Sequence, residues 1–320
     1  MMRILVVGAG AMGCLFAARL QKAGHDVTLL ETLRERVEEI NCEGVRVEGV
    51  SGKYKAKVPA FSTPPSAPPD LVLICVKAYD TLSAAKGVQE TVGPQTRVLS
   101  VQNGLGNLEI LSEVFGPDKV LGGVTAEGAT VLGPGRIRHA GQGETIIQDG
   151  PFSESIISAF TDAGFRSRAD KNIRSYIWGK LVINVGINAL AALTRLKNGR
   201  LPEKEGSRTI MQQAVAEALE VCNSLQISLP YPDPLGKVMQ VCRDTADNVA
   251  SMLQDVLKNR RTEISFINGA IVQEGKRLGI PTPVNAVLTS VVSVIEETYG
   301  ESLQERVPAC DSSRAEHLMS

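Results

Sequence analysis

Apolar residues follow two different rhythms in the two halves of this chain. In the first half they come as short β-branched runs separated by helical stretches. Residues 3–7 (RILVV) read as a buried parallel strand, because a strand covered on both faces needs no polar alternation. Residues 14–23 (CLFAARLQKA) place apolar side chains one turn apart and predict a helix closed by Gly24. Residues 26–30 (DVTLL) predict the next strand and complete a strand–helix–strand unit. Further strands are predicted at 71–76 (LVLICV), 97–101 (RVLSV), 119–125, 136–139 and 143–147, with a small hairpin from 45–50 and 54–58. The proline-rich stretch 62–70 marks a surface loop.

The rhythm changes near residue 170. From Ile173 to Glu297 the spacing is helical, and helices are predicted at 172–193, 207–226, 234–258, 261–278 and 283–299. Prolines 230, 232 and 234, and then 281 and 283, punctuate them. Strands alternating with helices predict an α/β class, with a doubly wound, mostly parallel sheet in residues 1–168. An all-helical domain is expected over 169–307 and a loose polar tail over 308–320.

Composition narrows the class. A chain of 320 residues suits two domains, and 43% hydrophobic with 22% charged residues is a soluble, globular balance. A net charge of −1 supplies no electrostatic drive toward nucleic acid or an anionic membrane, though it allows a local basic pocket for an acidic substrate. The six cysteines (14, 42, 75, 222, 242 and 310) form no C-x-x-C pair and no zinc spacing, so reduced thiols and a cytoplasmic setting are expected, with no metal. The opening MMRILVVGAGAMG lacks the long apolar core of a secretion signal, and no uninterrupted run reaches the roughly 18 apolar residues of a membrane span. The long apolar helices permit a homodimer without requiring one.

The candidate chemistry begins directly after the first strand. Gly8-Ala9-Gly10-Ala11-Met12-Gly13 fits G-x-G-x-x-G in its proper setting, between a strand and a helix. The first glycine makes the tight turn, the second lets a pyrophosphate approach the backbone, and the third lets the helix pack on the strand. The helix N-terminus adds N–H groups and partial positive charge. The expected fold is therefore a Rossmann-type dinucleotide-binding sheet, followed by the all-α C-terminal domain. Glu31 ends the second strand, where a carboxylate accepts from a ribose 2′-OH and repels a 2′-phosphate. Arg34 and Arg36 follow and are within reach of a phosphate instead, so NAD(H) and NADP(H) both stay open.

One helix of the second half carries polar residues it should not. Within SYIWGKLVINVGINALAAL (175–193), Lys180, Asn184 and Asn188 recur at i, i+4 and i+8 and so share one stripe. The other positions are apolar nearly all round, as in a buried helix, so the stripe faces a partner helix, a cavity or a ligand. A lysine beside two carboxamides suits a small oxyacid. Asn248, Ser251, Glu263 and Asn268 form a second polar group, for which the residues alone favour surface or helix-end roles. His25, His139 and His317 are scattered and read as structural or surface residues.

Taken in order, these segments resemble the ketopantoate reductase family. The resemblance rests on GAGAMG, Lys77 in CVKAYD, Asn103 in QNGLGN, WGKLVINVGINAL, and most specifically SMLQDVLKNRRTEISFINGAIV, and spans Arg3 to about Thr298. It implies that Lys180 is a general acid and that Glu263 lies beside it and the cofactor. It implies that Asn184, Asn188, Asn198, Asn248 and Ser251 hold a 2-oxo acid, and that Lys77 and Asn103 line the nicotinamide side. It further implies reduction of ketopantoate with NADPH. Glu31-Thr32 departs from the arginine many members place there, which leaves NADH open. The alternatives are reduction of another branched or aromatic 2-oxo acid on the same scaffold, a β-hydroxyacid dehydrogenase, and a non-catalytic dinucleotide sensor.

Overall fold

Twelve strands and eleven α-helices make up the computed structural model, which describes residues 1–301. The expected tail at 308–320 lies outside the described residues. The strands are β1 (Arg3–Val7), β2 (Asp26–Leu30), β3 (Val45–Gly49), β4 (Tyr54–Ala56), β5 (Ala60–Phe61), β6 (Leu71–Ile74), β7 (Arg97–Ser100), β8 (Val120–Thr125), β9 (Gly128–Gly133), β10 (Arg136–Gly141), β11 (Glu144–Gln148) and β12 (Arg166–Asp170). The helices are α1 (Ala11–Lys22), α2 (Arg34–Glu43), α3 (Thr81–Val88), α4 (Asn107–Phe115), α5 (Ser153–Asp162), α6 (Ile173–Thr194), α7 (Glu205–Ser224), α8 (Pro234–Asp244), α9 (Ser251–Val256), α10 (Asn268–Leu278) and α11 (Pro283–Glu297).

The main sheet runs β12-β11-β8-β7-β6-β1-β2-β5. Every neighbouring pair is parallel except β8 with β11. Strand β1 shows why its sequence is apolar after the exposed Arg3. Ile4 and Val6 enter the core shared with Leu15 and Phe16 of α1, while Leu5 and Val7 enter the core beneath Ala85 of α3 and Leu111 of α4. Both faces are covered, as the unbroken run predicts.

Some expectations change. Residues 136–139 do form a strand, but β10 leaves the main sheet and joins a second one, ordered β4-β3-β10-β9, whose Val45, Val47 and Ile137 pack in the same core as α1. Strands β5, β9 and β12 escape the sequence pattern. They are short or edge strands with half-exposed or charged residues, such as RSRAD in β12.

Helix α6 is the axis of the second half. Leu181, Val182, Val185, Ile187 and Leu190 are each 3% exposed or less. At Gly186 an added methyl carbon would lie 2.8 Å from Val238 and 3.1 Å from Val215, so α7 and α8 pack directly against its backbone. Helix α6 is long and apolar enough to cross a membrane, but 67% of its apolar stretch is buried inside the protein, as in a core helix.

Two expected helices are cut short. The segment expected at 234–258 splits into α8 and α9. Between them, the carbonyls of Ala246 and Asn248 accept from the N–H groups of Gly199 and Asn198, each at 3.1 Å. The backbone there is committed to the loop after α6 and cannot continue a helix. The segment expected at 261–278 makes one tight turn at Ile264–Phe266 and becomes α-helical only at Asn268. Before it, the Phe266 carbonyl accepts from the Leu105 N–H at 3.0 Å, tying this turn to the sheet half.

Candidate active site

The order of the main sheet reverses at β1, with β2 on one side and β6 on the other. Ligands of open α/β sheets sit in the crevice at the carboxyl ends of such strands. Gly8 to Gly13 occupies that crevice. Gly8 has φ +99°, a conformation that L side chains resist, and its N–H donates to the Leu30 carbonyl at 2.8 Å. A methyl carbon on Gly13 would collide with the Gly8 carbonyl oxygen. At Gly10 the same methyl would meet nothing within 4 Å. Helix α1 carries no acidic residue in its first turn and no side-chain cap, so its leading N–H groups face an open space. A pyrophosphate fits this cradle.

Glu31 is only 7% exposed and turns toward the loop. One carboxylate oxygen accepts from the Ala9 N–H at 3.2 Å and from Arg36 at 2.5 Å; the other accepts from the Leu33 N–H at 3.0 Å. Arg34 instead reaches outward, with its side chain 88% exposed and Glu38 at 3.3 Å.

Across the crevice Lys77 follows β6. Its ammonium lies 2.6 Å from Asp255 and 3.3 Å from Glu263. The other oxygen of Glu263 accepts from the Ala78 N–H at 3.0 Å. One buried carboxylate of the helical half therefore grips both the side chain and the backbone at the end of a sheet strand. Burial pulls the Lys77 pKa down, but the charges of Glu263 and Asp255 outweigh it and raise the ammonium above its ordinary range. Burial raises the Asp255 carboxyl, with Lys77 opposing. Asp255 joins this cluster without being among the residues expected from the sequence. Its only signal was an acidic residue on the apolar side of a short helix, four positions after Ser251.

Lys180 extends from α6 to the end of β8, where Nζ donates to the Thr125 carbonyl at 2.8 Å. Burial lowers its pKa to about 8, with the negative charge of Glu263 opposing. Two of the carboxamides expected to hold the substrate are less satisfied. Asn188 is 5% exposed, and its Nδ2 has no partner among the described residues. Asn198 donates to Thr245 at 2.9 Å, but its Oδ1 is buried and without a partner among the described residues. Leaving a buried polar atom unpaired costs about 1–3 kcal/mol, a cost that a bound polar group would remove. Asn184 is half-buried.

Other expected residues are placed differently. Asn248 and Ser251 are exposed. Asn248 meets the site only through its carbonyl, which holds the Asn198 backbone. Asn103 is half-buried in the loop after β7, and its carbonyl accepts from Asn107 at 3.0 Å. Asn268 is fully buried and donates to Asn285 at 2.9 Å and to the Val185 carbonyl of α6 at 3.2 Å, a structural tie between helices. His139 is completely buried, the structural one of the two settings expected for it.

Residues 4–151 match the family model described as ketopantoate reductase PanE/ApbA, and residues 172–296 match its C-terminal model. A 2-dehydropantoate 2-reductase of Pyrococcus horikoshii is 34% identical over 94% of this chain and 100% of its own length. The crystal structure of a PanE/ApbA family ketopantoate reductase from Ralstonia eutropha JMP134 superposes with a TM-score of 0.88 at 34% identity, covering 93% of this chain and 99% of that one. D-mandelate dehydrogenase, solved with NADH and anilino(oxo)acetate, superposes with a TM-score of 0.88 at 26% identity and the same coverage.

Proposed function

Because this chain belongs to the ketopantoate reductase family, we propose that it reduces ketopantoate to pantoate, with Lys180 as general acid. The reading rests on the placement of Lys180, whose buried ammonium donates to the Thr125 carbonyl at the seam between α6 and the end of β8; burial there lowers its pKa to about 8. A bound nicotinamide dinucleotide supplies the hydride, and Gly8 to Gly13, Glu31, Lys77 and Asn103 are the residues that would hold it. The chain's own work is orientation, charge stabilisation and proton delivery.

Lysine has three N–H donors, and Thr125 takes one. A second donor is aimed at the C2 carbonyl oxygen of the substrate, where negative charge grows as the bond order falls. The same ammonium then gives that oxygen its proton. Asn184, Asn188 and Asn198 offer carboxamides to the substrate's carboxylate and hydroxyl, and the unpaired atoms of Asn188 and Asn198 support that role. Asn248 acts through the Asn198 backbone, and Ser251, exposed at the start of α9, offers its hydroxyl to the substrate. Glu263 fixes Lys77 and keeps Lys180 charged at neutral pH.

For the dinucleotide we favour NADH over NADPH. Glu31 presents an acceptor beside the loop, Arg36 is engaged by it, and Arg34 points to solvent with Glu38. A 2′-phosphate would meet a buried carboxylate there. We infer a cytoplasmic setting, consistent with the unbridged thiols of Cys14, Cys42, Cys75, Cys222 and Cys242. The likeness to D-mandelate dehydrogenase keeps one second reading, an aromatic 2-oxo acid as substrate. Rates with ketopantoate and phenylglyoxylate, each with NADH and NADPH, test both choices. A higher kcat/KM for phenylglyoxylate would overturn the substrate, and one for NADPH the cofactor.

The lysine also sets a pH dependence. Reduction needs the ammonium, so kcat/KM is highest below about pH 8 and falls as pH rises through that value. Oxidation of pantoate needs the neutral amine and rises over the same range. A reduction rate flat through pH 8 in a pH–rate profile would contradict the assignment.

A further inference from the structure

We propose that the buried pair of Glu127, in the link from β8 to β9, and His139, in β10 of the small sheet, is a positioning device for Lys180, acting through the Thr125 carbonyl. The inference rests on the reading of Lys180 as the acid, and it concerns two residues that the chemistry above does not use.

The link is short and continuous. Lys180 donates to the Thr125 carbonyl, so the direction of the ammonium depends on the orientation of one peptide unit. That unit is the last of β8 and is held from three sides. The Thr125 hydroxyl meets the Thr145 hydroxyl at 2.9 Å, in register across the antiparallel β8–β11 pair. The Ala126 N–H donates to the Glu144 carbonyl at 2.9 Å. The Glu127 N–H donates back to the Thr125 hydroxyl at 3.2 Å. The chain turns here from the main sheet into β9, and Glu127 is the residue on which it turns.

Glu127 is fixed in its turn. Its carboxylate lies 2.6 Å from His139 Nε2, with the two side chains 2% and 0% exposed. The ring's other nitrogen, Nδ1, is buried without a partner among the described residues, so the proton belongs on Nε2, donated to Glu127. His139 is anchored through its backbone. Its carbonyl accepts from the Val50 N–H at 3.0 Å, and it pairs with Gly49 of β3 and Ala129 of β9. A strand-end carbonyl needs no buried carboxylate–imidazole pair merely to stay folded. An apolar pair would fill the space without the desolvation such a group carries. What the pair adds is direction: it sets the angle at which β8 ends, and therefore where the Thr125 carbonyl points. A misplacement on the ångström scale at a catalytic group costs up to about 10²-fold in rate.

The charged group facing Lys180 is Glu263, with Lys77 and Asp255 paired beyond it. Among the described residues neither Glu127 nor His139 is hydrogen-bonded or ion-paired to any of the three, so the link from this pair to Lys180 runs through the Thr125 peptide. The test is the basic limb of the kcat pH profile, which reports Lys180. Glu127→Ala should lower kcat about tenfold. It should also move the limb to lower pH, because the ammonium loses an oriented acceptor. Dinucleotide affinity, read by fluorescence titration, stays unchanged. Glu127→Gln, whose amide oxygen still accepts from Nε2–H, should retain the wild-type limb. Thr145→Val, nearly isosteric, should move the limb in the same direction as Glu127→Ala and decides the matter if the alanine variant does not fold. A folded alanine or valine variant with a wild-type limb overturns the proposal, as does a glutamine variant that behaves like alanine. Wild-type protein inactive on 2-oxo acids would instead remove the reading on which the proposal stands.

Discussion

Lys180→Ala is expected to lower kcat for 2-oxo acid reduction by at least about 10²-fold, a loss of roughly 3 kcal/mol of transition-state stabilisation. The side chain supplies both the charge that meets the developing alkoxide and the proton that neutralises it. Its ammonium is drawn toward neutral by burial, so the proton is given up readily, and Thr125 fixes where it is given. Dinucleotide affinity should survive, because the glycine loop lies on the other half of the molecule. Lys180→Arg separates the two roles. A guanidinium keeps the charge but does not release its proton near neutral pH, so it should recover only part of the loss. Unchanged turnover in the alanine variant, measured with saturating cofactor, would remove Lys180 from the mechanism. A non-catalytic dinucleotide sensor would show no turnover to lose.

The second large effect divides the glycine loop by function. Gly10→Ala should leave the melting temperature unchanged, because the added methyl meets nothing within 4 Å and Gly10 has an ordinary φ of −74°. It should nonetheless weaken dinucleotide binding severely, since the open space over Gly10 is where a pyrophosphate must come close. Gly13→Ala should do the reverse first. Its methyl collides with the Gly8 carbonyl oxygen, so α1 must shift from β1, at a typical overpacking cost of about 1–3 kcal/mol. Thermal unfolding and fluorescence titration on the two variants check this separation. A Gly10→Ala protein that binds the dinucleotide normally would remove the pyrophosphate from that position.

Local patterns in the sequence were enough to locate much of this. The strand–loop–helix unit around Gly8 follows from contiguous residues, and so does the Lys180-Asn184-Asn188 stripe, because helical periodicity alone aligns it. What stayed hidden depends on contacts between distant segments. Asp255 acquires its role only when Lys77, far away in sequence, is brought against it. The break between α8 and α9 is imposed by backbone groups of Asn198 and Gly199, not by any local helix breaker. The small second sheet arises because β10 finds β3 as a parallel neighbour, a pairing that no local pattern announces. The seating of Glu31 shows the same limit from the other side. Its position at the end of β2 was legible, but its inward turn onto Ala9 and Arg36 was not.

The most direct test is product formation by the purified chain given ketopantoate and either NADH or NADPH. The account predicts stoichiometric conversion to pantoate, with a higher kcat/KM for NADH and loss of the reaction in Lys180→Ala. No pantoate with either cofactor, from protein shown to bind a dinucleotide, would contradict it.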